Sequence, residues 1–154
     1  MFGQLDRVRV LVDLAHQVTE VTGAGWDPVA GRAFRVESRG LHLGPGAGSL
    51  GADGLDAIDV ERSEHIGHLS ATTQQEAQAL ADAHYDQRAR RFVTVEGVAE
   101  GNPRLRVGTH VELKGVSPRF DNTYYVVRAR HRYDVSQGYR TEFEAESARY
   151  GGRV

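Results

Sequence analysis

Apolar and polar residues alternate along several stretches of the chain, and this period-two signal predicts strands with one buried face. The first stretch is residues 7–12, which run Arg, Val, Arg, Val, Leu, Val. A second candidate covers 18–25, with Val18 and Val21 out of strict phase. Trp26, Asp27 and Pro28 close it, because a proline cannot continue a ladder. Alternation restarts over 33–37, where Phe34 and Val36 share a face, after a turn-like stretch at 29–32. A further strand with a bend is read in 58–71, where Asp59, Glu61 and Glu64 interleave with Ile58, Val60 and Ile66. Downstream, strands are predicted over 92–98, 107–113, 122–133 and 139–146. Gly101, Asn102 and Pro103 form the turn after the first of these.

One segment departs from period two. Residues 74–91 place Ala77, Leu80, Ala81, His84, Tyr85 and Arg88 on one helical face. Thr73 to Glu76 reads as a capping box at its start, and Arg88, Arg90 and Arg91 suit the dipole at its end. Alanine dominates the stripe, so a neighbour packs close to this helix.

The last two strands constrain each other. Tyr125, Val127, Ala129, His131 and Tyr133 are assigned to one face, with Val126, Arg128, Arg130 and Arg132 on the other. In the partner strand Tyr139, Thr141, Phe143 and Ala145 oppose Arg140, Glu142, Glu144 and Glu146. A one-residue slip inverts every side chain, so the loop between them holds an odd number of residues. Asp134 then faces Gly138, Arg130 faces Glu142 and Arg128 faces Glu144.

Composition changes this picture in two places. The chain of 154 residues holds 18 glycines, against roughly 11 at average usage. Six of them fall within 38–57, which reads as a mobile surface loop or linker. There are no cysteines, which excludes disulfides, thiolate metal sites and cysteine nucleophiles. The net charge of −2 offers no basic field for nucleic acid or membrane. No apolar run reaches the ~18 residues of a membrane span, and the first six residues lack a leader pattern. Lys114 is the single lysine, so arginine carries nearly all the positive charge.

Candidate chemistry is sparse. His65 and His68, beside Glu61 and Glu64, are weak metal candidates, since zinc hydrolysis wants three ligands in a formed pocket. The glycine run at 44–49 lacks the Gly-Lys-Ser/Thr ending of a phosphate loop, and no Gly-x-Ser-x-Gly elbow is present. His131 lies on an apolar strand face as a half-buried, hydrogen-bonded histidine, and His84 is read the same way. Tyrosines and arginines interleave near 124–133, but Glu142, Glu144 and Glu146 cancel that field. No catalytic constellation is left.

The residues that remain carry a resemblance. The helix from Gln75, the stretch from Phe92 to Gly97, and the run from Gly101, Asn102 and Pro103 through Gly108 to Gly115 are similar to the hub module of contractile tails. The stretch from Phe120 to Tyr125, His131 and Tyr133, and then Gly138, Tyr139, Arg140, Thr141, Glu142 and Phe143 extend the likeness. Gly25, Trp26, Asp27 and Pro28 look like an upstream stretch of the same module. The chain thus resembles the C-terminal part of hubs in the phage late-control D, myophage baseplate and VgrG-like spike family, which extends to type VI and extracellular injection systems.

The resemblance implies a mainly β fold with one main α-helix, an α+β domain built on an antiparallel barrel-like hub. It implies strands of the module at 6–37, the glycine-rich loop or linker at 38–57, helix and barrel at 58–148, and a tail at 149–154. Turn residues Gly101, Asn102, Pro103 and Gly108 would be kept for backbone geometry, with outer sheet faces making subunit contacts. The implied role is structural: a homotrimer joining tail tube protein to spike protein in a baseplate. The resemblance implies no catalysis, no cofactor, no nucleic acid and, in the free state, no membrane, with assembly in the cytoplasm and a final place in the baseplate of a virion or injection particle. Two other classes are carried beside it. One is a metal-dependent cell-wall hydrolase using His65, His68 and Glu64. The other is a glycan- or peptide-binding module with Trp26, Tyr124 and Tyr139 as platform.

Overall fold

The computed structural model describes residues 4–151, so residues 1–3 of the leader reading and 152–154 of the tail lie outside the described residues. Ten strands and two helices are described: β1 (Leu5–Val12), β2 (Glu20–Asp27), β3 (Arg32–Ser38), β4 (Ser49–Leu50), α1 (Gly51–Asp56), β5 (Ser63–Ile66), α2 (Gln74–Arg90), β6 (Val93–Glu100), β7 (His110–Glu112), β8 (Thr123–Asp134), β9 (Gly138–Ser147) and β10 (Arg149–Tyr150). The protein is mainly β, as the strand pattern predicts, with a curled antiparallel half-barrel, as the resemblance implies.

The half-barrel has the order β1-β6-β9-β8-β7. One face of it buries Val93, Val95, Phe143, Ala145, Tyr124, Val126 and Leu113, with Val8 and Val10 packed against them. Each such side chain contributes up to about 1.5–3 kcal/mol on burial. Curvature at β6 has a local cause. Gly97 pairs with Phe143, and the phenyl ring lies where a Cβ of residue 97 would stand, 2.4 Å from Cζ. An aromatic ring covering a strand glycine lets the sheet bend without leaving a hole.

A second sheet, β3-β2-β5, is covered by α2. Strand β5 runs parallel to β2, which the 43 residues separating Thr22 from its partner His65 permit through β3, β4, α1 and their loops. Thr73 caps α2, its Oγ1 accepting from Glu76 N at 3.2 Å. The Glu76 carboxylate reaches one residue past the cap, accepting from Thr72 N at 3.1 Å. Ala77, Ala81, Tyr85 and Ala89 turn toward the sheet, where they meet Val21, Phe34 and Val36. Leu80, placed on the buried stripe by its spacing, is instead exposed, because the four-residue steps from Ala77 define the contact line and Leu80 lies on its flank.

Three sequence expectations are corrected. Residues 38–57 carry β4 and α1 and are tied into the fold. Leu55 is buried, β4 pairs with β10, and Gln17 lies across Gly51 while donating to the Arg88 carbonyl at 2.9 Å. The strand expected over 107–113 is confined to β7, because Gly108 adopts φ 86° and Thr109 closes a turn onto the Arg106 carbonyl at 2.6 Å. In β8 the buried residues are Tyr124 and Val126, opposite to the face assigned from the sequence. A bulge between Val126 and Arg128 inserts one residue against β9 and reverses the phase, so that Ala129 and His131 fall on the core side with Val126.

Candidate interaction surface

The hairpin β8–β9 projects beyond the rest of the half-barrel. Its pairing runs to Asp134 opposite Gly138, whereas β6 stops at Glu100 opposite Arg140 and β7 pairs only with residues 123–125. Past Val126 the outer edge of β8 therefore has no strand beside it among the described residues. Asp134 fastens the tip: Oδ1 accepts from the amides of Ser136 at 2.8 Å and Gln137 at 3.2 Å, and from the Ser136 hydroxyl. The Ser136 hydroxyl is the largest influence holding the Asp134 carboxyl below the usual range. Gly138 supplies φ 72° on the return, and Tyr133 and Val135 stand 78% and 95% exposed at the end of the arm.

Residues far apart in sequence meet at the base of this arm. Thr141 is fully buried, and its Oγ1 accepts from Asn102 N at 3.0 Å. His131 Nδ1 stands 3.1 Å from that oxygen and 3.0 Å from the Tyr139 hydroxyl. Gly101 N donates to the Tyr139 carbonyl at 2.9 Å. Pro103 takes the second position of a turn closed by Leu105 N on Asn102 O at 3.1 Å, while Asn102 Oδ1 accepts from Arg104 N at 3.0 Å. The structure thus joins Gly101, Asn102, Pro103, His131, Tyr139 and Thr141 in one bonded unit. His131 is hydrogen-bonded as read from the sequence, but it is exposed rather than half-buried, because the arm carries it past β6.

Gly25, Trp26, Asp27 and Pro28 lie in the other sheet, at the turn from β2 to β3. Gly25 pairs with Phe34, whose ring would stand 2.5 Å from a Cβ at residue 25. Asp27 Oδ1 accepts from Val29 N and Ala30 N, both at 2.9 Å, and so shapes the turn. Trp26 and Val29 project from it, 58% and 97% exposed. Gly108 sits in a third place, bonding through its N to Val126 O at 3.0 Å. Two hairpins thus end in an exposed aromatic–aliphatic pair.

The face of the half-barrel opposite its core is charged in rows, and these residues line a depression of about 490 Å³. Arg9, Glu96, Glu144 and Arg128 stand in register across β1, β6, β9 and β8, and Arg7, Val98, Glu142 and Arg130 form the next row. Arg128 pairs with Glu144, and Arg132 with Glu142 at 3.1 Å. Exposed pairs of this kind contribute only about 0.2–1 kcal/mol each, and their use is to fix register. Glu146, one row further, has its carboxyl pushed up by burial despite Arg91 and Arg90.

The histidine–carboxylate candidates diverge. Strand alternation sends Glu64 toward α2, where its Oε1 accepts from Arg88 at 2.7 Å and lies 3.6 Å from His84 Nε2. His65 faces the opposite side and bonds Thr22 Oγ1 at 3.1 Å, and His68 is exposed in the following loop. Among the described residues no three His, Cys, Asp or Glu side chains gather as metal ligands. Tyr124 is 1% exposed, its hydroxyl donating to Phe120 O at 2.9 Å, so it joins no platform with Trp26 and Tyr139.

Three residues that sequence reasoning did not single out organise their surroundings. Asn122 Oδ1 accepts from Ala47 N at 3.0 Å and Thr123 N at 2.9 Å, and its Nδ2 donates to Ala47 O at 2.9 Å and Arg149 O at 3.4 Å. Asp121 accepts from the amides of Gly115 and Val116, both at 2.9 Å, and Ser117 at 3.1 Å. Asp86 on α2 is buried with one unpartnered oxygen. Asp121 closes its loop backwards, onto amides four to six residues upstream, and no local sequence pattern marked any of the three.

The fold is one that tail proteins share. The 43 kDa tail protein of prophage MuSo2 from Shewanella oneidensis superposes with a TM-score of 0.59 at 14% identity, over 92% of this chain and 40% of that one. A tail protein from Neisseria meningitidis MC58 gives 0.54 at 12% identity, over 93% and 40%. A chain in the virion of a native gene transfer agent particle gives 0.51 at 16% identity, over 91% and 27%. The chain therefore spans two fifths or less of the length of these proteins. No curated protein matches the sequence. Residues 2–134 match the family described as the Alg8 N-terminal domain, and the chain belongs to that family.

Proposed function

We propose that this chain is a structural domain of a contractile tail or injection-system baseplate hub, joining the tail tube to the central spike as part of a homotrimer. The observation that carries the reading is the projecting β8–β9 arm, with an open strand edge and exposed Tyr133 and Val135. Open edges and apolar tips are liabilities in a free monomer and become useful when a neighbour covers them. The second tip, Trp26 and Val29, provides another contact point. The tail-protein fold, the charged sheet face and the hub resemblance of the Gly101, Asn102, Pro103 and His131 stretches support the same reading. The domain acts through surfaces rather than through a reaction. It is built in the cytoplasm and ends in the baseplate of the particle.

Light scattering of the chain alone and mixed with the tube and spike proteins of the same tail tests this. A complex with either partner is expected, weakened when Tyr133 and Val135 are both replaced by serine. A strict monomer that binds neither protein overturns the proposal.

A further inference from the structure

A cleft of about 320 Å³ lies between α1 and the first residues of β2 and β5. Four carboxylates line it, those of Glu20, Asp53, Asp56 and Glu61. Arg39 is the one cation in the lining, and its guanidinium is already divided between Glu20 at 2.9 Å and Glu37 at 2.8 Å. Asp53 uses one oxygen to accept from Leu50 N at 2.7 Å. The side chains of Asp56 and Glu61 take part in no ion pair or hydrogen bond among the described residues. Asp56 also ends α1, where the helix dipole favours a cation, and no basic residue stands in that turn.

The floor of the cleft shows what is missing. Tyr85 reaches it from α2 and is only 2% exposed, yet its hydroxyl has no hydrogen-bond partner among the described residues. Unlike Asp86 Oδ1, that hydroxyl is not sealed inside the core. It opens on the cleft: burial first, and then the charges of Asp53, Asp56 and Asp86, push the phenol above its ordinary value, and the first two of these are cleft carboxylates. A phenol that keeps its proton still offers an oxygen as acceptor. Leaving such a hydroxyl unpaired is costly, and a ligand that bonds it removes the cost.

The ligand that answers both features is a cation with separate donors. A metal ion does not fit, since no three metal-ligating side chains gather here among the described residues. A primary ammonium does: it is compact, and its three N–H donors can be shared between an oxygen below and carboxylates at the sides. Leu50 and Ala52 give an apolar wall for the alkyl stem behind it.

We propose that this cleft binds a primary alkylammonium group, with the Tyr85 hydroxyl accepting from it at the floor and Asp56 and Glu61 flanking it. A lysine side chain of a partner protein and a free polyamine carry the same group. The inference does not rest on the hub reading, because the cleft needs only the ammonium and no particular assembly.

The test uses the whole chain at low ionic strength, where exposed charges are least screened. Acetyl-lysine-N-methylamide and 1,4-diaminobutane are the probes, followed through the backbone amide signals of Ala52, Asp56 and Tyr85. Saturable shifts at these positions are expected. Tighter binding of the lysine derivative assigns the cleft to a partner's side chain, and tighter binding of the diamine assigns it to a free polyamine. The Nε-acetylated lysine derivative, which keeps the stem and loses the charge, is expected to bind at least about tenfold more weakly. Tyr85→Phe removes an oxygen that bonds nothing within the chain, so its melting temperature is expected to be unchanged while its affinity falls at least about fivefold. A purely structural tyrosine would not separate the two readouts. Asp56→Asn, an exposed substitution, is the second variant and is expected to weaken binding by a similar factor. Absence of saturable shifts up to about 10 mM of either probe overturns the proposal. So does equal binding of the acetylated derivative, or undiminished binding by folded Tyr85→Phe.

Discussion

The ring of Tyr139 lies against the α-carbon of Gly101, so closely that a Cβ there would stand 2.0 Å from Cδ1 and 2.1 Å from Cγ. The contact is with the root of the ring, so the whole side chain has to move to admit a methyl group. Moving it breaks the hydrogen bond between the Tyr139 hydroxyl and His131 Nδ1. Gly101→Ala is therefore expected to cost about 1–3 kcal/mol by overpacking. In a Tyr139→Ala background the same change costs much less, and urea unfolding of the four proteins in the cycle measures the difference.

Asn122 holds the 44–48 loop to the C-terminal strand through both ends of its amide. Asn122→Ala leaves the Ala47 amide and carbonyl without that partner and is expected to cost about 1–3 kcal/mol. Hydrogen exchange at Ala47 accelerates, while exchange in β6 at Val95 follows only the loss of global stability.

The Tyr124 phenol titrates late. Burial, aided by the charge of Asp121, pushes it from an ordinary value of 10.0 up to about 12. Its folded value is raised, so its contribution is fully present below the unfolded value and is lost as pH rises through the folded one. Ultraviolet titration of phenolate is expected to show one tyrosine ionising near that upper value, and alkaline unfolding sets in over the same window. Tyr124→Phe removes that phenol from the late phase and leaves Tyr85, which burial also pushes up.

Asp121 behaves in the opposite sense. Its carboxyl is held below the ordinary range, first by the amide of Gly115 and then by those of Ser117 and Val116. Stability from this group is present above the unfolded carboxylate value and is lost as pH falls through the folded one. Carboxyl chemical shifts followed downward from about pH 5 are expected to show Asp121 protonating after exposed aspartates, whose ordinary value is about 3.9. Asp121→Asn flattens that part of the acid melting curve.

The β8–β9 hairpin was legible because two signals agreed: opposed charges on one face and a loop of odd length. Asp134 does face Gly138, and Arg130 and Arg128 do face Glu142 and Glu144. The bulge after Val126 was not legible, since one inserted residue leaves the local pattern intact while turning the faces over. Residues 38–57 looked unanchored because their anchors are remote: Asn122 bonds Ala47 from 75 residues away, and Gln17 covers Gly51. The unit of Gly101, Asn102, His131, Tyr139 and Thr141 was present as separate motifs. The β8–β9 hairpin sets His131 beside Thr141 and Tyr139, and the pairing of β6 with β9 brings in Gly101 and Asn102.

The hub assignment meets its most direct test in cryo-electron microscopy of the assembled tail particle that carries this protein. Three copies at the junction between tube and spike, with the β8–β9 arm against a neighbouring subunit, are the result expected. A particle that lacks the chain, or that holds it away from that junction, contradicts the assignment.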